Sequence, residues 1–313
     1  MDIKAYNHIR SGRAGFYEQR RGLIAVWGKE AVQFLDGMIT NDMKTLRDGE
    51  QMHAAFPNAQ GRLLAAVRVL RQGDRLLIEA EEATREKLYQ NLFRFTFAGD
   101  FYVEDLSEQY SYFEIFGPID DVFEPNVGAK FEGAIAFQAK HGAAYFVPDH
   151  LTAEFRSFLV DENGCVAIDE KLYETLRIES GIPKFGIDMD ETTIVPELGI
   201  DEMISYTKGC YIGQEIIARI HFRGHVAKRL TGLICDADFD RDALDAGGTP
   251  AIQSKELLTA EGKSAGKITS VTYSPKLEKY IALAFVRYDY LAEGTELRSD
   301  GQKATVTNLP FVS

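Results

Sequence analysis

From Ala227 to its end the chain shows no helical period. Short alternating runs appear at Leu230 to Ile234, Lys267 to Tyr273, Ile281 to Val286 and Ala304 to Thr307. Turns rich in Gly, Asp and Ser separate them. A period of two marks strands with one buried face. Several such strands with no helix between them predict a small all-β domain, a barrel. Earlier segments mix both periods, so a boundary falls near Gly224 and divides the chain into 1–224 and 225–313.

The first part predicts an apolar strand from Gly22 to Trp27. A helix from Lys29 to Ile39 follows, with Ala31, Phe34, Leu35 and Met38 on one face. A meander comes next, with strands at Gln51 to Phe56, Leu63 to Leu70 and Leu76 to Ala80. Turn residues at Asn58 to Gly61 and Gln72 to Asp74 join them. A helix from about Glu82 to Phe97 covers that sheet, and strands follow at Phe101 to Val103 and Tyr112 to Phe116. The mixture then repeats. A hairpin over Ala134 to Val147 turns at Lys140-His141-Gly142, with a helix at Leu151 to Leu159 and a strand at Val166 to Ile168. A second helix, Lys171 to Ser180, is stopped by Gly181 and Pro183. Two hairpin-and-helix segments in succession predict α+β subdomains of ferredoxin-like character. The 313 residues suit two or three domains of about 100–150 residues each.

The stretch Lys208-Gly209-Cys210-Tyr211-Ile212-Gly213-Gln214-Glu215 leads from a turn into a helix. Ile216, Ile217 and Ile220 follow at helical spacing, and Gly213 suits the cap. Cys210 then lies just before a helix N-terminus, where unpaired N–H groups favour negative charge. That position and the nearby Lys208 favour a thiolate, the form that reacts with electrophiles and binds metals. Glu215 opposes them. The competing reading makes Cys210 a small buried hydrophobe.

Other motifs fail. Gly262-Lys263-Ser264-Ala265-Gly266 has the GxSxG spacing, but a polar stretch precedes it and a strand follows, the reverse of a nucleophile elbow. Its Gly-Lys-Ser lacks the first glycine of a phosphate loop, since Leu257 stands there. Asp188, Asp190 and Glu191 resemble a cation cluster, yet Thr193 stands where a calcium loop needs glycine. They read instead as solvated or capping carboxylates.

Charge limits the partners. A net charge of −13 repels nucleic acid and anionic membrane from the surface at large. The exception runs from Arg219 to Arg229. It holds Arg219, Arg223, Lys228 and Arg229 with His221 and His225 between them, and no acid. This suits an anionic tail or a nucleic-acid backbone; it also suits a solvated helix C-terminus. Three cysteines, at 165, 210 and 235, make an odd count with no CxxC, which predicts a reducing, cytoplasmic setting. No apolar run suits a signal peptide or a bilayer span, so no membrane partner is expected.

The cysteine stretch, continued by Ala218-Arg219, resembles the signature of YgfZ-type folate-binding proteins. These are related to the T-protein, the aminomethyltransferase of the glycine cleavage system. Phe34-Leu35-Asp36-Gly37 with Thr40-Asn41-Asp42 is similar to that family's first helix and turn. Leu176 to Gly181, with Asp188 to Thr192 and Pro196-Glu197, resembles its central segment. Gly266 to Ser270, Ser274 to Leu277 and Ile281 to Ala284 resemble its barrel. The resemblance therefore runs through nearly the whole chain.

It implies three domains in a ring around a central channel that holds tetrahydrofolate. The subdomains would comprise roughly 1–48 with 112–224, and 49–111. Glu179 matches the carboxylate that binds the folate, and a carboxylate can accept paired bonds from a pterin's guanidine-like edge. Tyr173 matches a ring lining the pocket, and Lys208 would meet an anionic part of the ligand. From the residues alone, Glu179 reads as an exposed helix-end glutamate, and Tyr173 reads equally as a ring packed beneath its helix. One departure concerns chemistry: Ala65 and Ala66 stand where the T-protein carries an aspartate pair. A methyl group neither accepts a hydrogen bond nor moves a proton, which argues against aminomethyl transfer and leaves other turnover open. Members with the cysteine signature are associated with iron–sulfur protein assembly or repair and with the tRNA modifications that iron–sulfur enzymes perform. The expectation is thus a tetrahydrofolate-binding accessory protein with Cys210 as its functional thiol and iron–sulfur proteins as clients. The alternatives are a folate-dependent aminomethyltransferase and an RNA-binding module. A lone cysteine cannot hold a cluster that takes four protein ligands, so a client would supply the others.

Overall fold

Strand burial sets the architecture of the first half. In a computed structural model, residues 1–117, 123–139, 141–236, 256–299 and 301–312 are described. The expected hairpin-turn residue Lys140 lies outside them. The chain forms two compact units. The first comprises Met1–Asn58, Leu64–Leu172 and Glu202–Ile212; the second comprises Ala59–Leu63, Tyr173–Asp201 and Gly213–Ser313.

The first unit starts with α1 (Ile3–Arg10), β1 (Gly15–Gln19), β2 (Arg21–Trp27) and α2 (Ala31–Met38). Next come β3 (Gln51–Pro57), β4 (Leu63–Gln72), β5 (Arg75–Glu81), α3 (Glu82–Phe93), β6 (Tyr102–Asp105) and β7 (Tyr110–Phe116). It closes with α4 (Phe123–Lys130), β8 (Ile135–Ala139), β9 (Gly142–Pro148), α5 (Thr152–Ser157) and β10 (Val166–Ala167), before α6 (Glu170–Glu179). Two five-stranded sheets result, ordered β3-β4-β5-β2-β6 and β10-β1-β7-β9-β8.

Successive side chains on a strand point to opposite faces. On β5, Leu76, Ile78 and Ala80 join Leu35 and Met38 of α2 and Leu88 and Leu92 of α3 in one core. Leu77, on the opposite face, joins Leu23, Tyr112, Ile135, Phe137 and Phe146 of both sheets in a second. Phe113 and Ile115 face the other way and pack with Val127 of α4 and Phe155 of α5 in a third. The unit is therefore layered helix, sheet, sheet, helix.

Strand β2 pairs antiparallel with β5 over its whole length, from Arg21↔Glu81 to Trp27↔Arg75, and with β6 on its other edge. Residues 21–27 thus belong with 51–105, whereas the expected grouping joined 1–48 to 112–224. Pairing here is set by partners roughly fifty to eighty residues away, which local periodicity does not reveal.

The second unit adds α7 (Gln214–Arg223), β11 (Lys228–Cys235), β12 (Glu256–Leu258), β13 (Ser264–Ser274), β14 (Lys279–Arg287), β15 (Glu296–Ser299) and β16 (Gln302–Thr307). The six strands close into a barrel in the order β11-β14-β13-β12-β15-β16. Leu233, Ile268, Ala284, Leu297 and Val306 fill it. The expected α+β fold with two sheet subdomains and a C-terminal barrel is what the structure shows. Ser264 begins β13 directly after the turn at Gly262, so the GxSxG spacing marks a strand start.

Candidate functional site

The cysteine loop belongs to the first unit, where the end of α2 fastens it. Ile212 N–H donates to the Gly37 carbonyl at 3.0 Å, and Ser205 N–H to that of Thr40 at 2.9 Å. Thr40 Oγ1 donates to Met203 O at 2.6 Å, and Asn41 Nδ2 to Glu202 O at 2.9 Å. Lys208 adds most. Its Nζ donates to the carbonyls of Asp36 (2.6 Å), Ile39 (3.0 Å) and Asn41 (2.6 Å) and lies 3.1 Å from Asp36 Oδ1. A helix C-terminus leaves carbonyls without intrahelical partners, and this ammonium satisfies them.

Burial pulls the Lys208 ammonium below its usual value, although Asp36 pulls the other way. Burial pushes the Asp36 carboxyl up, but Lys44, at 3.0 Å, and Lys208 outweigh it and hold it low. The Lys208 side chain has no exposed surface. The structure thus gives it to the α2 terminus, where the sequence reading gave it to an anionic ligand group or to the thiol.

Cys210, two residues on, is exposed, while Cys165 and Cys235 are buried. Of its two sequence readings, the buried hydrophobe is excluded. Helix α7 starts where expected, capped by Gly213 at φ +81°, a left-handed conformation that favours glycine. Glu215, read as opposing the thiolate, pairs with Arg219 at 2.8 Å.

Tyr173 and Glu179 belong to the second unit, so the structure assigns the four expected site residues to two units as two pairs. Glu179 has no exposed surface, unlike the helix-end glutamate the residues alone allowed. Its carboxylate accepts a short hydrogen bond from Ser274 Oγ. Its backbone carbonyl accepts from Phe311 N–H (2.9 Å) and Val312 N–H (3.1 Å). Tyr173 is buried, with the Lys184 ammonium 6.0 Å from its ring centre.

Beside them sits a charged cluster that the sequence did not reveal. Arg177 is fully buried. Its guanidinium donates to Asp188 Oδ2 (2.7 Å), Glu174 Oε2 (2.7 Å), the Ile182 carbonyl (2.7 Å) and Ser270 Oγ (3.1 Å). Asp188 also accepts from Thr269 and Ser270, each at 2.5 Å, and from Lys184 N–H at 3.0 Å. Burial works against the Arg177 charge, but Asp188 and Glu174 outweigh it and raise its pKa. Asp188, read as a solvated or capping carboxylate, is a buried side chain with four donors around it. Asp190 closes a local turn, accepting from Thr192 N–H at 2.7 Å and Thr192 Oγ1 at 2.6 Å. The signal for this cluster was weak, an Arg177 three residues after Glu174 on one helix face.

On β4, Ala65 is buried in the core shared with α2 and α3, and Ala66 points to the other face. Neither offers a proton-transfer group.

A two-sheet first unit and a closed six-stranded barrel define a class of scaffold that known proteins share. Residues 4–121 match the GCVT N-terminal domain, and residues 228–313 match the glycine cleavage T-protein C-terminal barrel domain. The structure superposes on the crystal structure of the glycine cleavage system aminomethyltransferase T from Bartonella henselae with a TM-score of 0.84. That match covers 99% of this chain and 89% of the other at 19% identity, a likeness of fold. An aminomethyltransferase from Bdellovibrio bacteriovorus is 26% identical, with 98% of this chain and 90% of the relative covered. The iron-sulfur cluster assembly factor IBA57 homolog, mitochondrial, of Mycosarcoma maydis is also 26% identical, over 81% of this chain and 70% of the relative. The chain is a GCVT-like protein carrying both domains of the glycine cleavage T-protein.

Proposed function

We propose that this protein is a YgfZ-type, tetrahydrofolate-binding accessory factor for iron–sulfur cluster assembly or repair in the cytoplasm. Cys210 is its functional thiol. The observation that carries the reading is an exposed thiol on a loop fastened to α2 on both sides of the cysteine. A fastened loop presents the sulfur at small entropic cost. The relative named as an iron–sulfur cluster assembly factor supports the client class.

The donor set suits tetrahydrofolate in kind. Glu179 supplies a carboxylate for a pterin's donor edge and Tyr173 a ring to stack on it. Both side chains are covered, so binding requires the surrounding side chains to open. Bound tetrahydrofolate would supply a carrier for a one-carbon unit. Cys210 would supply a nucleophile, or one ligand of a cluster completed by the client protein.

The test is complementation. In cells lacking the protein, the wild type should restore iron–sulfur enzyme activity, and Cys210→Ser at equal abundance should not. Full rescue by Cys210→Ser would overturn the assignment. Aminomethyltransferase names among the relatives favour a second reading, folate-dependent aminomethyl transfer. Ala65 and Ala66 argue against it, and the absence of any transfer from an aminomethyl donor to tetrahydrofolate would remove it.

A further inference from the structure

The basic run between Arg219 and Arg229 has no part in the folate reading, and the fold gives it company. Helix α7 ends with His221, Phe222 and Arg223 all exposed, and Phe222 leaves 67% of its surface bare. One turn on, the His225 ring stacks on that of Tyr288, with centroids 3.7 Å apart and planes 12° from parallel. Tyr288 is itself 48% exposed. Its N–H donates to the Ala227 carbonyl at 3.0 Å, which holds the run against the end of β14.

The strand register brings in a further cation. Lys228 pairs directly with Arg287 across β11 and β14. Like charges facing each other across strands destabilise a sheet, so this pair costs stability unless something anionic lies over it. Glu197 reaches to 4.0 Å from Lys228 Nζ, and Asp289 follows Tyr288. Arg287 donates a long bond, 3.4 Å, to the Ser264 carbonyl. On a chain of net charge −13, this is a local island of cations set among exposed rings.

Cations alone would suit any polyanion. The rings narrow the choice, because bases stack on aromatic faces only when they are unpaired. A duplex hides its base faces, and RNA is the polynucleotide whose loops and ends are recognised unpaired. We propose that this face of the barrel unit binds single-stranded RNA. Bases stack on Phe222 and beside the His225–Tyr288 pair, and phosphates meet Arg223, Lys228 and Arg287. The proposal stands whether or not the folate reading holds.

Fluorescence anisotropy on the full chain tests it, with a labelled RNA of about 12 nucleotides, within the site sizes such surfaces use. The controls are the same sequence as duplex RNA, as single-stranded DNA and as a glutamate-rich peptide of similar charge. Binding to the single-stranded RNA should be saturable and should weaken roughly tenfold between about 50 and 200 mM salt, as a few phosphate contacts require. Phe222→Ala and Tyr288→Ala should each weaken it about tenfold, the effect of one lost stacking contact. Arg223→Ala should lower the salt slope by about 0.7. All three side chains are exposed, and an unchanged thermal melt would confirm that each variant folds. Ring variants that bind like the wild type would overturn the proposal. So would equal affinity for the duplex, the DNA or the peptide, or no binding at low salt.

Discussion

Lys208 shows how one side chain can do work its neighbours in sequence do not suggest. Beside a cysteine, a lysine reads as an electrostatic helper, yet its ammonium points inward to three carbonyls and the Asp36 carboxylate. Lys208→Met would leave those buried acceptors without a donor. It should cost unit stability roughly 2–4 kcal/mol, the range for breaking a buried, hydrogen-bonded charge. Lys208→Arg should recover little, because a planar fork cannot reach three carbonyls arranged around a point donor. Urea unfolding of the three proteins decides this. A Lys208→Met midpoint equal to wild type would mean that the carbonyls find other donors.

At the scale of elements, the two sheets of the first unit meet around a charge. Glu79, on the inner face of β5, bonds Arg21 of β2, and its other oxygen accepts from Arg68 Nε of β4 at 2.8 Å. Arg68 also donates to Tyr112 Oη of the facing sheet at 3.0 Å and to the Gln138 carbonyl of β8 at 2.8 Å. Burial pushes the Glu79 carboxyl up, but the two guanidiniums outweigh it and bring its pKa to about 2, from 4.5. Between those values the unfolded chain binds the proton and the folded chain does not, so stability rises with pH across the window. The contribution is complete above about pH 4.5 and is lost as the pH falls toward 2. A shift of this size corresponds to about 3 kcal/mol. Glu79→Gln should unfold more easily at neutral pH and lose part of the wild type's stability change between these pH values. Parallel pH profiles for the two proteins would refute the role given to this ion cluster. Such a cluster is hardly legible in sequence, since Arg21, Arg68 and Glu79 come from three strands. What was legible is local. The strands at Leu230 to Ile234 and Ile281 to Val286, the α2 face and the stop at Gly181 all read correctly, although both strands are buried on both faces where a period of two predicted one. Strands β12 and β15 did not, being three and four residues long with too few apolar positions to show a period. Helix α1 was missed although Asp2 caps it, accepting from Lys4 and Ala5 N–H, and although Tyr6 and Ile9 lie on one buried face.

Over the whole molecule, the residues of the proposed site fall into two groups, each held by its own unit. Cys210 depends on the α2 terminus for its loop, while Glu179 depends on Ser274 and its helix. Each support is internal to one unit, so the two functions should separate under mutation. Glu179→Ala should weaken tetrahydrofolate binding by about tenfold or more, the worth of a charge-assisted paired bond. Its thiol should still react with iodoacetamide at the wild-type rate. Cys210→Ser should bind tetrahydrofolate as the wild type does and lack only the reactive sulfur. Calorimetric titration and an alkylation time course on each variant measure both quantities. Unchanged folate affinity in Glu179→Ala would remove that residue from the ligand site. A loss of folate affinity in Cys210→Ser would show that the sulfur itself belongs to the ligand's binding surface, and the division of labour between the units would then be untenable.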